Sequence, residues 1–104
     1  MANNQVKSKW FCDARYGLFI HWGAYARYGR GEQVLFREHL DQNEYAREAR
    51  SWNPSRFNAA AWADVASRGG FRYAVLTARH HDGYCLWDSR TTRYTTAAQA
   101  AGRD

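Results

Sequence analysis

The 104-residue chain is expected to fold as α/β, with two parallel strands joined through helices. "YGLFIHWG" (16–23) and "AVLTA" (74–78) are short, nearly continuous apolar runs rich in β-formers, and the segment between them carries helix-start signals. An apolar run without polar alternation reads as a strand covered on both faces, as parallel strands are. Parallel neighbours need a crossover, so two such runs separated by helices predict a right-handed βαβ unit.

The first strand is bounded by Gly17 and Gly23. In "LDQNEY", Asp41 offers an N-cap, Glu44 completes a capping box, and Leu40 and Tyr45 sit as a hydrophobic staple. The helix that follows would turn Tyr45, Ala46 and Ala49 inward. A second helix is expected from "NPSRF", with Asn53 as N-cap and Pro54 at the first helical position, where its missing N–H costs nothing. Phe57, Ala61 and Val65 recur every fourth residue as its core face, and Gly69 supplies the stop. The second strand is entered through Phe71 and Tyr73. Residues 1–104 read as one domain, with 1–9 as an N-terminal tail and 91–101 as a short Ala/Thr-rich tail.

With 45% hydrophobic and 24% charged residues and a single proline, the composition excludes a disordered chain. Aromatic residues, at 16%, are the one clear excess, serving as core filling or as stacking platforms. A net charge of +5 invites a nucleic-acid reading. The basic residues are interleaved with acids, as in "REHLDQNEYAREAR", and form no like-charge block, so no nucleic-acid partner is expected. Cys12 and Cys85 lack CxxC spacing and are too few for a disulfide scaffold or a four-ligand zinc site; both read as small, buried or half-buried residues. "MANNQVKSKWF" shows no signal-peptide core, and no apolar run approaches a membrane span. The expectation is a soluble protein, cytoplasmic as expressed, with no membrane partner.

Both strands end on titratable side chains. His21 closes the first, and "TARHHDGYCLWD" (77–88) brings Arg79, His80, His81 and Asp82 at the end of the second. Parallel neighbours place these ends on one rim, where α/β folds keep their sites. A metal site, a sugar pocket and a polar turn are the three readings. Adjacent His80 and His81 project in different directions and make a poor tetrahedral chelate, so no metal and no cofactor is expected. Imidazoles beside Trp22, Tyr84 and Trp87 suit a hydroxyl-rich ligand, since each nitrogen donates or accepts as required. Asp82 is placed to tie the turn to backbone N–H groups, Asp88-Ser89 forms a similar local cap, and Trp22 and Trp87 read as packing.

"RYGLFIHWGAYARYGRGEQVLFREHL", "NPSRFNAAAWADVASRGGFRYAVLTARHHDGYCLWDS" and "GRD" together resemble the N-terminal part of the family 29 glycoside hydrolases, the retaining α-L-fucosidases, from about Trp10 to Asp104. The resemblance implies a partial TIM-barrel-like βαβ fragment, the first barrel strands with their connecting helices. It implies hydrolysis of terminal α-L-fucosyl linkages with retention if the assembly is active, on a fucosylated glycan or fucoside. The alternative is a non-catalytic fucose-binding or inactive structural fragment that self-associates. By resemblance His21, His80 and His81 bond fucose hydroxyls, and Glu32 in "GRGEQV" is an acidic sugar-contacting residue. The family usually has Trp after this Glu; Gln33 stands there instead, which removes a stacking contact or marks a variant subsite.

A retaining glycosidase uses two carboxyl groups roughly 5 Å apart. The resemblance places both beyond Asp104. A whole barrel takes about 250 residues, so the chain reads as a truncated fragment. Its buried-type strands would leave a face and two edges uncovered, and a homo-oligomer is expected to complete it. Within the chain, Glu32 and Asp82 are the carboxylates expected on the rim. Glu32 would act as acid/base, its pKa raised by desolvation, and Asp82 as nucleophile or electrostatic stabiliser, including across a subunit boundary.

Overall fold

The structure, a computed structural model, describes residues 4–104, with side chains from Ser8 onward. In chain order it contains α1 (Asn4–Ala14), β1 (Gly17–Ile20), a 3-10 helix (Ala24–Tyr28), α2 (Val34–Arg37), α3 (Gln42–Ser51), α4 (Ala59–Arg68) and β2 (Tyr73–Leu76). The two strands pair as a parallel sheet, so the expected α/β class holds. Residues 4–9, expected as a tail, open α1.

The chain divides into two compact units. The first comprises residues 4–20 with 58–75. Tyr16 stacks on Phe71 with ring centroids 4.5 Å apart, and the Arg72 N–H donates to the Tyr16 carbonyl at 2.8 Å just ahead of the strand pair. Trp10, Phe11 and Tyr73 form a three-ring cluster with centroid separations of 5.8, 5.9 and 5.2 Å. A Cβ at Gly17 would overlap the Tyr73 ring, so this strand opens on glycine because an aromatic ring lies against its backbone.

Helix α4 departs from expectation. It starts at Ala59, and its cap is Asn58, whose Oδ1 accepts the Ala61 N–H at 3.0 Å. Asn53 to Phe57 form a turn instead, with Phe57 N–H donating to the Pro54 carbonyl at 3.0 Å. Asn58 stands directly before three alanines, the best helix formers, whereas Pro54 is followed by Ser, Arg and Phe and initiates a turn equally well. The stop at Gly69 is as expected. No residue of α4 is buried, and Val65, expected in the core, is 60% exposed. The strands are uncovered too: Phe19 is 60% and Leu76 48% exposed. An apolar pattern records which side chains favour burial, not whether a neighbour covers them.

The second unit comprises residues 21–57 with 76–104 and holds the core. Tyr25, Val34, Leu35, Tyr45, Trp52 and Tyr84 are its larger buried members. Helix α3 forms as expected: Asp41 Oδ1 accepts the Glu44 N–H at 2.8 Å, Tyr45 and Ala49 are buried, and Ala46 is half-buried. The Ala/Thr-rich stretch is no tail. Thr95 is fully buried and pairs in parallel with Cys85, whose N–H donates to the Tyr94 carbonyl and whose carbonyl accepts from Thr96. Cys85 is buried as expected, but Cys12 is exposed. No helix among the described residues is long and apolar enough to cross a membrane.

Candidate sugar-binding site

Thr77, just past β2, ties together the segments that follow the two strands. Its Oγ1 accepts the Trp22 N–H at 3.4 Å and lies 3.2 Å from the Tyr25 hydroxyl. One residue on, the Ala78 carbonyl accepts the Leu86 N–H at 2.8 Å. These contacts bring the residues after β1 beside the "HHDG" turn, and the His21 and His80 rings lie 5.3 Å apart. Glu32 arrives from the loop ahead of α2, whose Val34 and Leu35 are anchored in the core. One ligand-type atom from each of His21, Glu32 and His80 lies within 4.8 Å of the other two. His21 is exposed, while Glu32 and His80 are half-buried. His81 flanks this cluster without joining it: its ring sits perpendicular to His80 at 4.6 Å and edge-on to Phe36 at 6.0 Å.

The turn itself is closed by Gly83, whose N–H donates to the His80 carbonyl at 3.0 Å and whose φ of 75° lies in the left-handed region that favours glycine. The His81 N–H donates to His80 Nδ1 at 2.9 Å. Asp82 holds the turn from below, accepting the Tyr84 N–H on Oδ1 at 3.1 Å and the Tyr45 hydroxyl on Oδ2 at 2.6 Å. The first of these bonds is the turn-tying role expected for Asp82. The second, reaching to α3, is not foretold by the sequence, whose only signal for it is that Tyr45 lies on the buried face of that helix. Ser89 caps locally as expected, accepting the Thr91 N–H at 3.2 Å.

The electrostatics correct one expectation. The Glu32 carboxyl is held below the usual carboxylate range, first by its own backbone N–H and further by His21 and His80, with partial burial opposing. Its pKa is therefore not raised, because hydrogen bonds to the charged form outweigh desolvation on this open rim. An ionised Glu32 is a hydrogen-bond acceptor. Around Asp82 the phenols move the other way. Burial, then the Asp82 charge, pushes Tyr94 up to about 12, and burial, then the bond to Asp82, raises Tyr45 well above its ordinary value.

The cluster thus joins an acceptor carboxylate to two imidazoles at a water-accessible rim, a combination that can hold a polyol by directional hydrogen bonds. An apolar cleft of about 250 Å³, walled by Trp22, Trp52, Phe57 and Leu86, includes none of the three residues. Trp22 stacks on Phe57 at 4.8 Å and meets Trp52 edge-on, which fits the packing role expected of it.

Comparisons with known proteins identify the family. The α-L-fucosidase family model matches residues 1–104. The tissue α-L-fucosidase of Rattus norvegicus is 33% identical over 97 residues, covering 78% of this chain and 21% of that protein. Among solved structures, α-L-fucosidase isoenzyme 1 from Paenibacillus thiaminolyticus is 44% identical with a TM-score of 0.87, covering 94% of this chain and 23% of that one. A family 29 α-L-fucosidase from Bacteroides thetaiotaomicron, trapped as a covalent intermediate with 2-fluoro-fucosyl fluoride, is 35% identical with a TM-score of 0.88, covering 98% and 26%. The chain spans 21% to 26% of the length of these relatives. Matched along its whole length by the family model, the chain belongs to the α-L-fucosidase family.

Proposed function

We propose that the chain supplies the fucose-recognising wall of an α-L-fucosidase site, in an enzyme that hydrolyses terminal α-L-fucosyl linkages with retention. The observation that carries this reading is the convergence of His21, Glu32 and His80, with His81 alongside. Glu32 accepts from sugar hydroxyls, and the imidazoles donate or accept around it. The covalent intermediate trapped in the Bacteroides relative supports retention. Residues 1–104 serve as one catalytic-domain fragment, the first part of a TIM-barrel-like fold, with about 10–104 carrying the family pattern.

For the two carboxylates expected to be catalytic, geometry favours binding and support. Glu32 is ionised, and both oxygens of Asp82 are engaged by Tyr45 and Tyr84. Hydrolysis then draws on carboxylates that this chain does not contribute, so the chain by itself binds fucose without turning it over. Incubation with an aryl α-L-fucoside tests this. Release above background that disappears in both Glu32→Gln and Asp82→Asn would instead make these two the catalytic pair.

Self-association belongs to the same reading. Phe19, Val65 and Leu76 leave apolar surface in water, and a two-stranded sheet has two open edges. Copies of the chain cover that surface in a homo-oligomer. Light scattering should give a mass above that of one chain, falling toward it in Phe19→Lys. A monomer at micromolar concentration would sink this part of the proposal.

A further inference from the structure

His21, Glu32 and His80 make a two-histidine, one-carboxylate set, a composition that in other proteins holds a divalent transition metal. The hydrogen bonding of His80 assigns it a different use. Its Nδ1 accepts the backbone N–H of His81 at 2.9 Å. A ring nitrogen that accepts carries no proton, so the neutral ring carries its proton on Nε2. A metal needs an in-plane lone pair. In His80 one is held by the His81 amide, and the other nitrogen is protonated. Ligation through Nδ1 would displace the hydrogen bond from the His81 N–H, and ligation through Nε2 would move the ring proton onto Nδ1, against that N–H, or strip it off to leave an imidazolate.

We propose that the backbone N–H of His81 fixes His80 as its Nε2–H tautomer, so that His80 serves this site as a hydrogen-bond donor to an oxygen ligand and not as a metal ligand. The His81 amide is a positioning group for this purpose. Its orientation is set by the turn on either side: the His80 carbonyl accepts from Gly83, and Asp82 accepts from Tyr84 and Tyr45. Flipping that amide would disturb the whole set. Glu32 provides the opposite polarity, a carboxylate acceptor within 4.8 Å of the other two residues' ligand-type atoms. A fixed donor beside a fixed acceptor suits a sugar hydroxyl that accepts from His80 while donating to Glu32. The identity of that ligand rests on the fucoside reading; the tautomer does not.

The experiment is nitrogen NMR of the ¹⁵N-labelled full chain at about pH 8, where an unperturbed imidazole is neutral. Two-bond couplings from ring carbons' protons distinguish the tautomers. The His80 signals, identified by their loss in His80→Gln or by proximity to the His81 amide proton should that variant not fold, are expected to show the Nε2–H pattern. An Nδ1–H pattern, or equal populations, overturns the proposal. In parallel, Zn²⁺ is titrated calorimetrically into the unaltered chain, with no one-to-one binding expected that depends on His80. Stoichiometric Zn²⁺ uptake abolished by His80→Gln would also overturn it. An Nε2–H tautomer in a chain that fails to bind L-fucose would contradict the proposed function and leave this inference standing.

Discussion

Tyr45 and Tyr84 are both buried beside Asp82, yet their hydroxyls have opposite fates. Tyr45 donates to Asp82 at 2.6 Å, while the buried Tyr84 hydroxyl has no hydrogen-bond partner among the described residues. A bond to a charged group contributes about 1.5–3 kcal/mol, whereas an unpaired buried hydroxyl costs free energy. Tyr45→Phe should therefore destabilise the chain by about 2 kcal/mol in urea unfolding, and Tyr84→Phe should leave it unchanged or more stable. Equal effects would mean that Asp82 does not support the turn through Tyr45. The histidines of this site were legible because each follows an apolar run in a predicted strand. The Tyr45–Asp82 bond was not, since it joins residues 37 apart and exists only once α3 has packed.

At the scale of elements, α4 shows how local signals compete. Two asparagines precede it, and only Asn58 places its side chain on a free helix N–H. Asn58→Ala should cost about 1 kcal/mol, whereas Asn53→Ala, outside the helix, should cost a few tenths. The reverse ranking, by thermal or urea unfolding, would restore the cap at Asn53. Helix α3 was readable because Asp41 had no rival and its apolar spacing agreed with its cap. The 3-10 helix and α2 were not, being too short to display a period. The stretch 91–101 resembles a tail for a different reason: Thr95 is buried by pairing with Cys85, and composition carries no information about that contact.

For the whole molecule, the α/β class and the pairing of the strands could be read from two apolar runs, but their exposure could not, because cover is a property of neighbours. The tyrosines of the second unit set a pH response. In Tyr94 burial raises the phenol from 10.0 to about 12, so between those values the unfolded chain loses a proton that the folded chain keeps. Its stabilising contribution is complete below pH 10 and is lost as pH rises toward 12. Urea midpoints should fall across that window, and less steeply in Tyr94→Phe; a flat profile would show that Tyr94 ionises freely in the fold. Calorimetric titration of L-fucose into the unaltered chain and its Glu32→Gln variant tests most directly whether the cluster of His21, Glu32 and His80 is a sugar site. Saturable binding weakened about tenfold or more in the variant is the predicted result, as loss of a charge-assisted hydrogen bond implies. No saturable binding, or equal affinity in both proteins, would contradict it.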